Sequence, residues 1–332
     1  MSDPTNVGLL GHRWGVWLRD DSGTYEQWLD RVQNVEHTIE IPSTAFYELG
    51  NVDKVGQTQE PADFRWTIME NMHNCEMDAI LAGKDPEGAT IELTAGEIID
   101  NTGACRACLV SRDVGGTDPV REIIYEGLAV TEIAYRFQVG GACEESVTME
   151  GISGSAFSGS ANCTHQTWGT FDTTAPGGVN GKDARIYFSG SAAGNRQYRL
   201  QSFNVRVAYP NQPVKELGRR AKVGSLADSP DVTIDFDLLK SDLQPDDILF
   251  TAYDYNDPAL IATSYVHVFD PDGAEGATII KAFKLENLRV TGGSPVRAQV
   301  RGLATNRYTM TVEKATTAGS AGLHIRNHSF AV

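Results

Sequence analysis

The two halves of the chain repeat one pattern of residues, and this repeat constrains the fold more than any other feature. The first copy begins at Glu48 and reads ELGNVDKVGQTQEPADFRWTI. The second copy begins at Glu216 and reads ELGRRAKVGSLADSPDVTIDF, so that the shared ELG and KVG positions align without a gap. Such a repeat indicates that one structural unit occurs twice in the chain.

The repeat extends on both sides of this stretch and covers nearly the whole chain. Upstream, residues 32–42 match residues 200–210, and both segments alternate apolar and polar residues before ending at a proline. This pattern is typical of a β-strand with a defined end. Downstream, residues 121–150 match residues 282–312, again with alternating patterns that predict strands in hairpins. The sequence therefore predicts a mainly β fold.

One short helix is expected in each unit, after the repeated stretch. In the first unit, apolar residues recur at helical spacing up to Gly83, which predicts the end of the helix. The corresponding run of the second unit is interrupted by Pro245. The apolar residues of these runs are Met69, Met72, Ala79 and Ile80 in the first unit, and Leu238, Leu239 and Ile248 in the second.

The predicted domain organisation is two tandem units with a connecting segment. At 332 residues the chain is long enough for two units that each bury a core. Residues 1–150 form the first unit, residues 151–181 form a linker rich in Gly, Ser and Thr, and residues 182–332 form the second. Residues 313–332 are a polar tail, interpreted either as an arm that docks on a neighbouring molecule or as a frayed terminus.

The charge of the chain is acidic and unevenly distributed. The net charge of −16 argues against a nucleic-acid-binding surface, which requires clustered Lys and Arg. Residues 1–150 contain 27 acidic and 10 basic residues, whereas residues 151–332 contain 17 and 18. The acidic half has two interpretations: a solvated face that promotes solubility, or a surface that repels a polyanion passing close to it.

Several patterns predict where the protein is made. The chain has no apolar run of the roughly 18 residues that a membrane span requires. Its first residues, MSDPTNVGLL, do not resemble a secretory signal, and five cysteines do not suggest a disulfide framework. The expectation is a soluble protein made in a reducing cytoplasm, without a membrane partner.

The chemical motifs of the sequence are isolated, and each has a simpler structural interpretation. Cys105 and Cys108 form a C-x-x-C pair that could bind zinc together with His73 and Cys75, but the second unit has no cysteine. Unbridged thiols, buried or half-buried, are therefore expected, and Cys105 and Cys108 are given no role. The acidic segment 270–273 lacks the further ligands of a calcium loop and predicts a turn.

A phosphate-binding loop is excluded because the segment lacks residues that this motif requires. The segment that begins at Pro176 has a proline in place of the first glycine of that motif and Asp183 in place of its Ser or Thr. No nucleophile elbow or zinc-protease helix is present in the sequence. We therefore predict no catalytic, cofactor-binding or metal-binding residues, no cofactor and no enzymatic activity.

The repeated unit resembles the major tail tube protein of long-tailed, siphovirus-like phages. The resemblance rests on an early alternating strand, the ELG and KVG turn, one short helix and a closing hairpin. The pattern from Val130 and Thr131 through Gly141 to residues 147–149 is similar to that hairpin. The duplication over nearly the full chain resembles tube proteins that contain two tube domains. The resemblance implies β-sandwich or half-barrel units that assemble into a β-barrel ring.

The resemblance also implies partners and a location. Three copies would form a pseudo-hexameric ring, and stacked rings would form a tube through which double-stranded DNA passes without specific binding. The expected partners are further copies of the chain, the tape measure protein, and the tail terminator and tail tip proteins. The protein would belong to the virion tail and be assembled in the host cytoplasm.

Two other classes of protein remain open at this point. One is a tail terminator or neck ring protein of the same fold, which would form rings that do not stack. The other is a carbohydrate-binding or adhesin-like β-protein, which would present aromatic residues in a cluster of loops. Four of the five tryptophans lie in the first 66 residues without forming such a cluster, and Trp66 is expected in the core. An enzyme is the least favoured class.

Overall fold

A computed structural model gives the conformation of most of the chain. Within the described residues the fold is mainly β, which confirms the predicted fold class. The described residues are 14–20, 23–40, 43–47, 54–59, 63–100, 105–112, 119–151, 157–160, 178–188, 200–215, 222–239, 260–272, 278–297, 305–312 and 322–330.

Strands and two short helices alternate along the first half, and the second half continues with strands. The elements of the first half are β1 (Trp14–Arg19), β2 (Glu26–Leu29), β3 (Val32–Glu40), β4 (Ser43–Tyr47), β5 (Lys54–Gln59), β6 (Asp63–Asn71), α1 (Glu76–Leu81), β7 (Glu92–Thr94), α2 (Ala95–Asp100), β8 (Cys105–Arg112), β9 (Pro119–Gln138), β10 (Glu144–Gly151) and β11 (Phe157–Ser160). Those of the second half are β12 (Ala184–Phe188), β13 (Leu200–Ala208), β14 (Asn211–Lys215), β15 (Lys222–Ala227), β16 (Asp231–Leu239), β17 (Leu260–Phe269), β18 (Ile279–Arg297), β19 (Thr305–Val312) and β20 (Leu323–Arg326).

The sequence repeat is a repeat of strand order. Four strands of the first half lie in the order β9-β10-β6-β3, and their counterparts in the second half lie in the order β18-β19-β16-β13. The hairpins β4–β5 and β14–β15 also correspond, and both contain a bulge at the same place, after Phe46 and after Val214. The two halves therefore share strand order and most of their register and bulges, as expected for copies of one unit, although the bulge of β18 between Ser294 and Arg297 has no counterpart in β9.

Both halves contribute to a single antiparallel sheet of 16 strands within the described residues. Three strands (β19, β16 and β13) separate β18 from β9 along this sheet. Even so, Phe283 of β18 packs edge-on against Tyr135 of β9, with ring centroids 4.7 Å apart. The sheet therefore curves back over itself, and the apolar core lies between the facing strands.

Strand β6 shows how the sequence pattern builds this core. Its side chains alternate between half-buried and buried positions, and Trp66 and Ile68 are fully buried. Trp66 stacks on Tyr125 of β9 at a centroid distance of 5.5 Å. This confirms that Trp66 belongs to the core.

The predicted helix of the first unit begins later than its apolar spacing suggests. Strand β6 continues through Asn71, because residues 67–70 pair with β3 on one side and with β10 on the other. Met69 therefore lies in a strand, and the helix α1 begins only at Glu76. The predicted end is correct, since Gly83 follows the helix with a positive φ of 66°. The second helix of this unit, α2, was not predicted.

The helix predicted for the second unit falls mostly outside the described residues. Leu238 and Leu239, which were assigned to it, belong to β16 and pair with β19. Ile248 and Pro245 lie in residues 240–259, which the structure does not describe.

Two pieces of the predicted linker are built into the first unit. Residues Phe157–Ser160 form β11, which pairs with β9. Val179 is fully buried, and its backbone N–H donates to the carbonyl of Met72 at 3.1 Å. The carbonyl of Val179 accepts a hydrogen bond from the N–H of Cys143 at 2.8 Å. The residues between these two pieces lie outside the described part of the chain.

We expect Gly181→Ala to destabilise the fold, because a Cβ there would lie 2.1 Å from the carbonyl oxygen of Gln138. Backbone must move to relieve this overlap, and overpacking of this kind costs about 1–3 kcal/mol. The matched control is Gly178→Ala, whose Cβ would make an ordinary contact of 3.6 Å with Asn71. Urea unfolding of both variants measures the difference, and equal midpoints would contradict the prediction.

Both interpretations of the tail are wrong for its described residues, 322–330. Residues Leu323–Arg326 form β20, which pairs with β18 on one side and with β7 of the first half on the other. Leu323 and Ile325 are buried because their alternation places them on the core side of this strand. The segment is therefore neither frayed nor free to act as an arm, and it joins the two halves.

Candidate assembly edges and a buried charge cluster

The two halves meet through strand pairing between β13 and β9. The register runs from Ser202 opposite Gln138 to Ala208 opposite Glu132. Backbone hydrogen bonds extend it at both ends: the N–H of Tyr209 donates to the carbonyl of residue 131 at 2.9 Å, and the N–H of residue 139 donates to the carbonyl of residue 201 at 3.0 Å. We call this pairing the junction.

Side chains support the junction on both faces of the sheet. On the core face, Phe137 and Phe203 are buried with ring centroids 6.2 Å apart. On the solvent face, Arg206 donates to Glu132 at 2.6 Å, and this hydrogen bond raises the pKa of the Arg206 guanidinium. Arg206 is 60% exposed, so the ion pair contributes less than about 1 kcal/mol. Strand pairing and apolar burial therefore hold the junction.

Strand β3 is the counterpart of β13, and it forms an edge of the sheet. It pairs with β6 on one side, and no other described strand pairs with it. Residues 36–40 are all exposed, and Ile39 is 39% exposed. Its counterpart in β13, Val207, is only 1% exposed and lies in a strand that pairs with β9. We call β3 the donor edge.

The end of β18 forms the second edge. β17 pairs with β18 only as far as Arg289, whereas β19 pairs with it as far as Arg297. Beyond Arg289, one side of β18 has no partner among the described strands. In the first half, the corresponding side of β9 carries β13. We call residues 290–297 the acceptor edge.

A group of buried charged residues lies where the two halves face each other. The Lys281 ammonium of β18 lies 2.5 Å from Asp78 Oδ2 of α1 and 2.5 Å from Glu145 Oε2 of β10. All three side chains have no solvent exposure. The Tyr135 hydroxyl donates to Asp78 Oδ1 at 2.5 Å. We call Lys281, Asp78, Glu145, Tyr135 and Glu70 the charge cluster.

Burial and mutual repulsion change the acidity of these groups. Glu70 lies opposite Glu145 in the register of β6 and β10, and burial followed by the neighbouring Glu145 raises its pKa. Burial also raises the pKa of Glu145 to about 8. Burial alone would lower the pKa of Lys281, but Asp78 and Glu145 raise it overall. The cluster therefore holds one cation among three carboxyl groups, of which Glu70 and Glu145 are more easily protonated than usual.

Sequence reasoning missed this cluster, although two signals were present. Lys281 follows two isoleucines and precedes Ala282 and Phe283. It is therefore a charged residue at a buried position of an otherwise apolar stretch of strand. Asp78 stands between Met77 and Ala79 in a short helix whose residues 77–81 are all buried. A charged residue inside an apolar run predicts a buried partner of opposite sign.

The candidate zinc ligands of the sequence are not assembled into a site that the structure describes. His73 and Cys75 are buried beside α1, whereas Cys105 and Cys108 lie in β8 and their side chains are outside the described part. No group of three potential metal ligands occurs among the described residues. Cys75 and Cys143 are buried, unbridged thiols, and burial raises the pKa of Cys143 to about 12.

The other two motifs are local backbone structures. Asp270 begins the turn between β17 and β18, and its Oδ1 accepts a hydrogen bond from the N–H of Asp272 at 2.9 Å. This confirms the turn predicted for residues 270–273 as far as the structure describes it. In the rejected phosphate-loop segment, residues Gly181–Asp183 form a 3-10 turn, and Asp183 accepts a hydrogen bond from the N–H of Asn180 at 3.1 Å.

Comparison with known proteins gives matches only among solved structures. No protein-family model matches the chain, and no curated protein matches it. Among solved structures, the chain is similar to one chain of the anti-feeding prophage (AFP) baseplate, determined by cryo-EM with six-fold symmetry imposed. The identity is 11%, the TM-score is 0.33, and the match covers 48% of this chain and 97% of the other. No helix in the described residues has the length and apolarity of a membrane span.

Proposed function

We propose that the chain is a structural virion protein, a major tail tube protein whose three copies form a pseudo-hexameric ring. The junction carries this proposal. Within one chain, the β13 edge of the second unit already pairs with the long strand β9 of the first unit. Because the units are copies of one another, the same contact can recur between chains.

The donor edge and the acceptor edge are the counterparts of the two partners at the junction. The donor edge corresponds to β13, and the acceptor edge corresponds to the part of β9 that pairs with β13. The donor edge of one chain can therefore pair with the acceptor edge of the next. Such a head-to-tail contact closes into a ring or continues as a filament, and pairing removes the exposed edges.

The junction register predicts which residues face each other between chains. Glu36 corresponds to Asn204, and Arg297 corresponds to Arg136. Glu36 of one chain is therefore placed opposite Arg297 of the next, which gives a pair of opposite charges. Ile39 is placed opposite Gly293, which corresponds to Ile133.

The charge distribution suits a channel through which DNA passes. With net charges of −17 and +1 for residues 1–150 and 151–332, a ring of three chains alternates three acidic units with three nearly neutral ones. Negative charge facing the channel would repel phosphates and prevent binding. In the assembled tail, the tape measure, terminator and tip proteins are the expected partners of this tube.

Light scattering and negative-stain microscopy of the purified chain test the proposal. Trimeric rings that stack into hollow tubes of uniform diameter are expected. Single rings that do not stack would instead assign the chain as a tail terminator or neck ring protein. A monomer that persists at high concentration would contradict the whole proposal.

We expect Glu36→Arg to weaken ring formation, because it places two positive charges opposite each other at every contact between chains. A like-charged cross-strand pair costs up to about 1 kcal/mol, and a ring contains three such contacts. The equilibrium constant for trimer formation should fall on the order of 100-fold. Native mass spectrometry across a concentration series measures this change.

Charge reversal on the other edge provides the decisive comparison. Arg297→Glu should weaken assembly similarly, and the double variant with Glu36→Arg should restore it. The matched control is Glu87→Arg, which makes the same charge change at an exposed turn away from both edges. If the double variant assembles no better than the single variants, the proposed register is wrong.

A further inference from the structure

Lys281 contacts two carboxyl groups at once in a site that excludes water. Its Nζ lies 2.5 Å from Asp78 Oδ2, yet within the described structure this oxygen has no partner with the alignment of a hydrogen bond. The other oxygen of Asp78 accepts a hydrogen bond of 2.5 Å from the Tyr135 hydroxyl. Nζ of Lys281 therefore contacts one oxygen of the Asp78 carboxyl group, while the Tyr135 hydroxyl polarises the group by donating to its other oxygen.

We propose that Lys281 and Asp78 join in an intramolecular amide bond, with Glu145 carrying protons and Tyr135 stabilising the reacting carboxyl group. The resulting cross-link connects α1 of the first half with β18 of the second. It is a covalent modification of the chain by its own residues, and it does not depend on the tail tube function.

The reaction is a condensation that requires no oxidant or reductant. A proton first moves from the Lys281 ammonium to Asp78, which leaves an amine and a carboxylic acid. Nζ then attacks Cγ of Asp78, and the negative charge that develops on Oδ1 is stabilised by the Tyr135 hydroxyl. Glu145 accepts a proton from Nζ and gives one to the departing Oδ2. The Cγ–Nζ bond forms, the Cγ–Oδ2 bond breaks, and one water leaves.

The resting pair is ionic, because Asp78 and Glu145 raise the pKa of Lys281, so the reaction depends on transfer of the ammonium proton to Asp78. The ammonium lies 4.8 Å from the ring centroid of Tyr135 and 5.7 Å from that of Phe283. These ring faces stabilise the ammonium, whereas the exclusion of water favours the proton transfer that converts the ion pair into an amine and an acid. Glu145 is placed to act as the proton carrier, since its Oε2 contacts Nζ and burial raises its pKa to about 8, close enough to neutral pH for it to accept a proton and release it again.

The fixed positions of Asp78 and Lys281 also favour formation of the amide bond. Asp78 is carried by a buried helix and Lys281 by a long central strand, so both groups are held by the core. Groups held in contact react as if at very high concentration, because the entropic cost of bringing them together is already met by folding. The same burial keeps water away from the amide once it has formed.

Intact-mass spectrometry of the denatured wild-type chain tests the proposal directly. The expected mass is lower than the sequence mass by one water, and digestion should release one peptide pair linked through Asp78 and Lys281. A wild-type chain of full sequence mass would overturn the proposal. A loss of water without the linked pair, as in a cyclised aspartate, would also overturn it, and a link from Lys281 to Glu145 would overturn the assignment of Asp78.

Variants then assign the roles of the residues. Lys281→Arg keeps the positive charge, cannot form this amide, and should have the full sequence mass. Lys284→Arg is the matched control on the same strand, where the lysine pairs with Glu286 at a partly exposed position, and it should keep the deficit of one water. Glu145→Gln should lower the linked fraction at a fixed time after synthesis, and unchanged linking would exclude Glu145 as the proton carrier.

Discussion

Truncation after residue 321 is expected to lower the free energy of unfolding by roughly 5–9 kcal/mol, since three large apolar side chains lose their burial at about 1.5–3 kcal/mol each. These side chains are Leu323, Ile325 and Phe330, all at most 5% exposed. The truncation also removes the strand that joins β18 to β7. A loss of this size approaches the total stability of many proteins.

Urea unfolding followed by tryptophan fluorescence measures this loss. Point variants keep the experiment informative if the truncated chain does not fold: Ile325→Ala should cost about 2–5 kcal/mol as a core truncation. Ser329→Ala is the matched control, because Ser329 is exposed on the same segment. An unfolding midpoint that is unchanged by both the truncation and Ile325→Ala would show that β20 is not part of the folded core.

Lys281→Met is expected to lower the free energy of unfolding by about 3–5 kcal/mol, the usual cost of removing one partner from a buried ion pair. Without the ammonium, the buried carboxyl groups of Asp78 and Glu145 lose their only close cation among the described residues. The comparison is made with wild-type chains of full sequence mass, in which Lys281 still carries its charge; a chain that has formed the proposed amide would lose the cross-link instead of the ion pair. Lys284→Met is the matched control, and it should cost less than about 1 kcal/mol because its pair with Glu286 is partly exposed.

The effect of Lys281→Met should depend on pH. Burial raises the folded-state pKa of Glu145 to about 8 and raises that of Glu70, so the folded chain binds more protons than the unfolded chain above the ordinary carboxyl pKa. The contribution of these two groups to the free energy of unfolding is therefore fully present at low pH and is lost as the pH rises towards 8. Removing the cation makes ionisation of these groups still more costly, so the variant should lose more stability at pH 8 than at pH 5. An equal loss at both pH values would contradict this account.

The repeated strands could be predicted from the sequence because their signal is local. Alternation in residues 32–40 and 200–208 and the matching stops at proline specify strands wherever they lie in the fold. Residues 67–71 show the limit of this reasoning. The spacing of Met69 and Met72 also fits a helix. Residues 67–70 form a strand because they pair with two neighbouring strands.

The tail and the charge cluster depended on contacts between distant parts of the chain. The apolar alternation of Leu323 and Ile325 is short, and nothing near them in sequence identifies β18 and β7 as their partners. Lys281 and Asp78 come from different copies of the repeat and from positions that do not correspond. A comparison of the two copies therefore could not reveal their contact, since it arises from curvature of the whole sheet.

The junction has a kinetic consequence for the proposed assembly. One chain carries two units that are already paired. Half of the contacts in a six-unit ring therefore form during folding, and their formation does not depend on the protein concentration. Only three contacts between molecules remain, and two encounters bring three chains together whereas six separate units would need five, so rings can nucleate at lower protein concentrations. Tethering also restricts the outcome, because rings built from whole chains contain an even number of units and five-unit misassemblies are inaccessible.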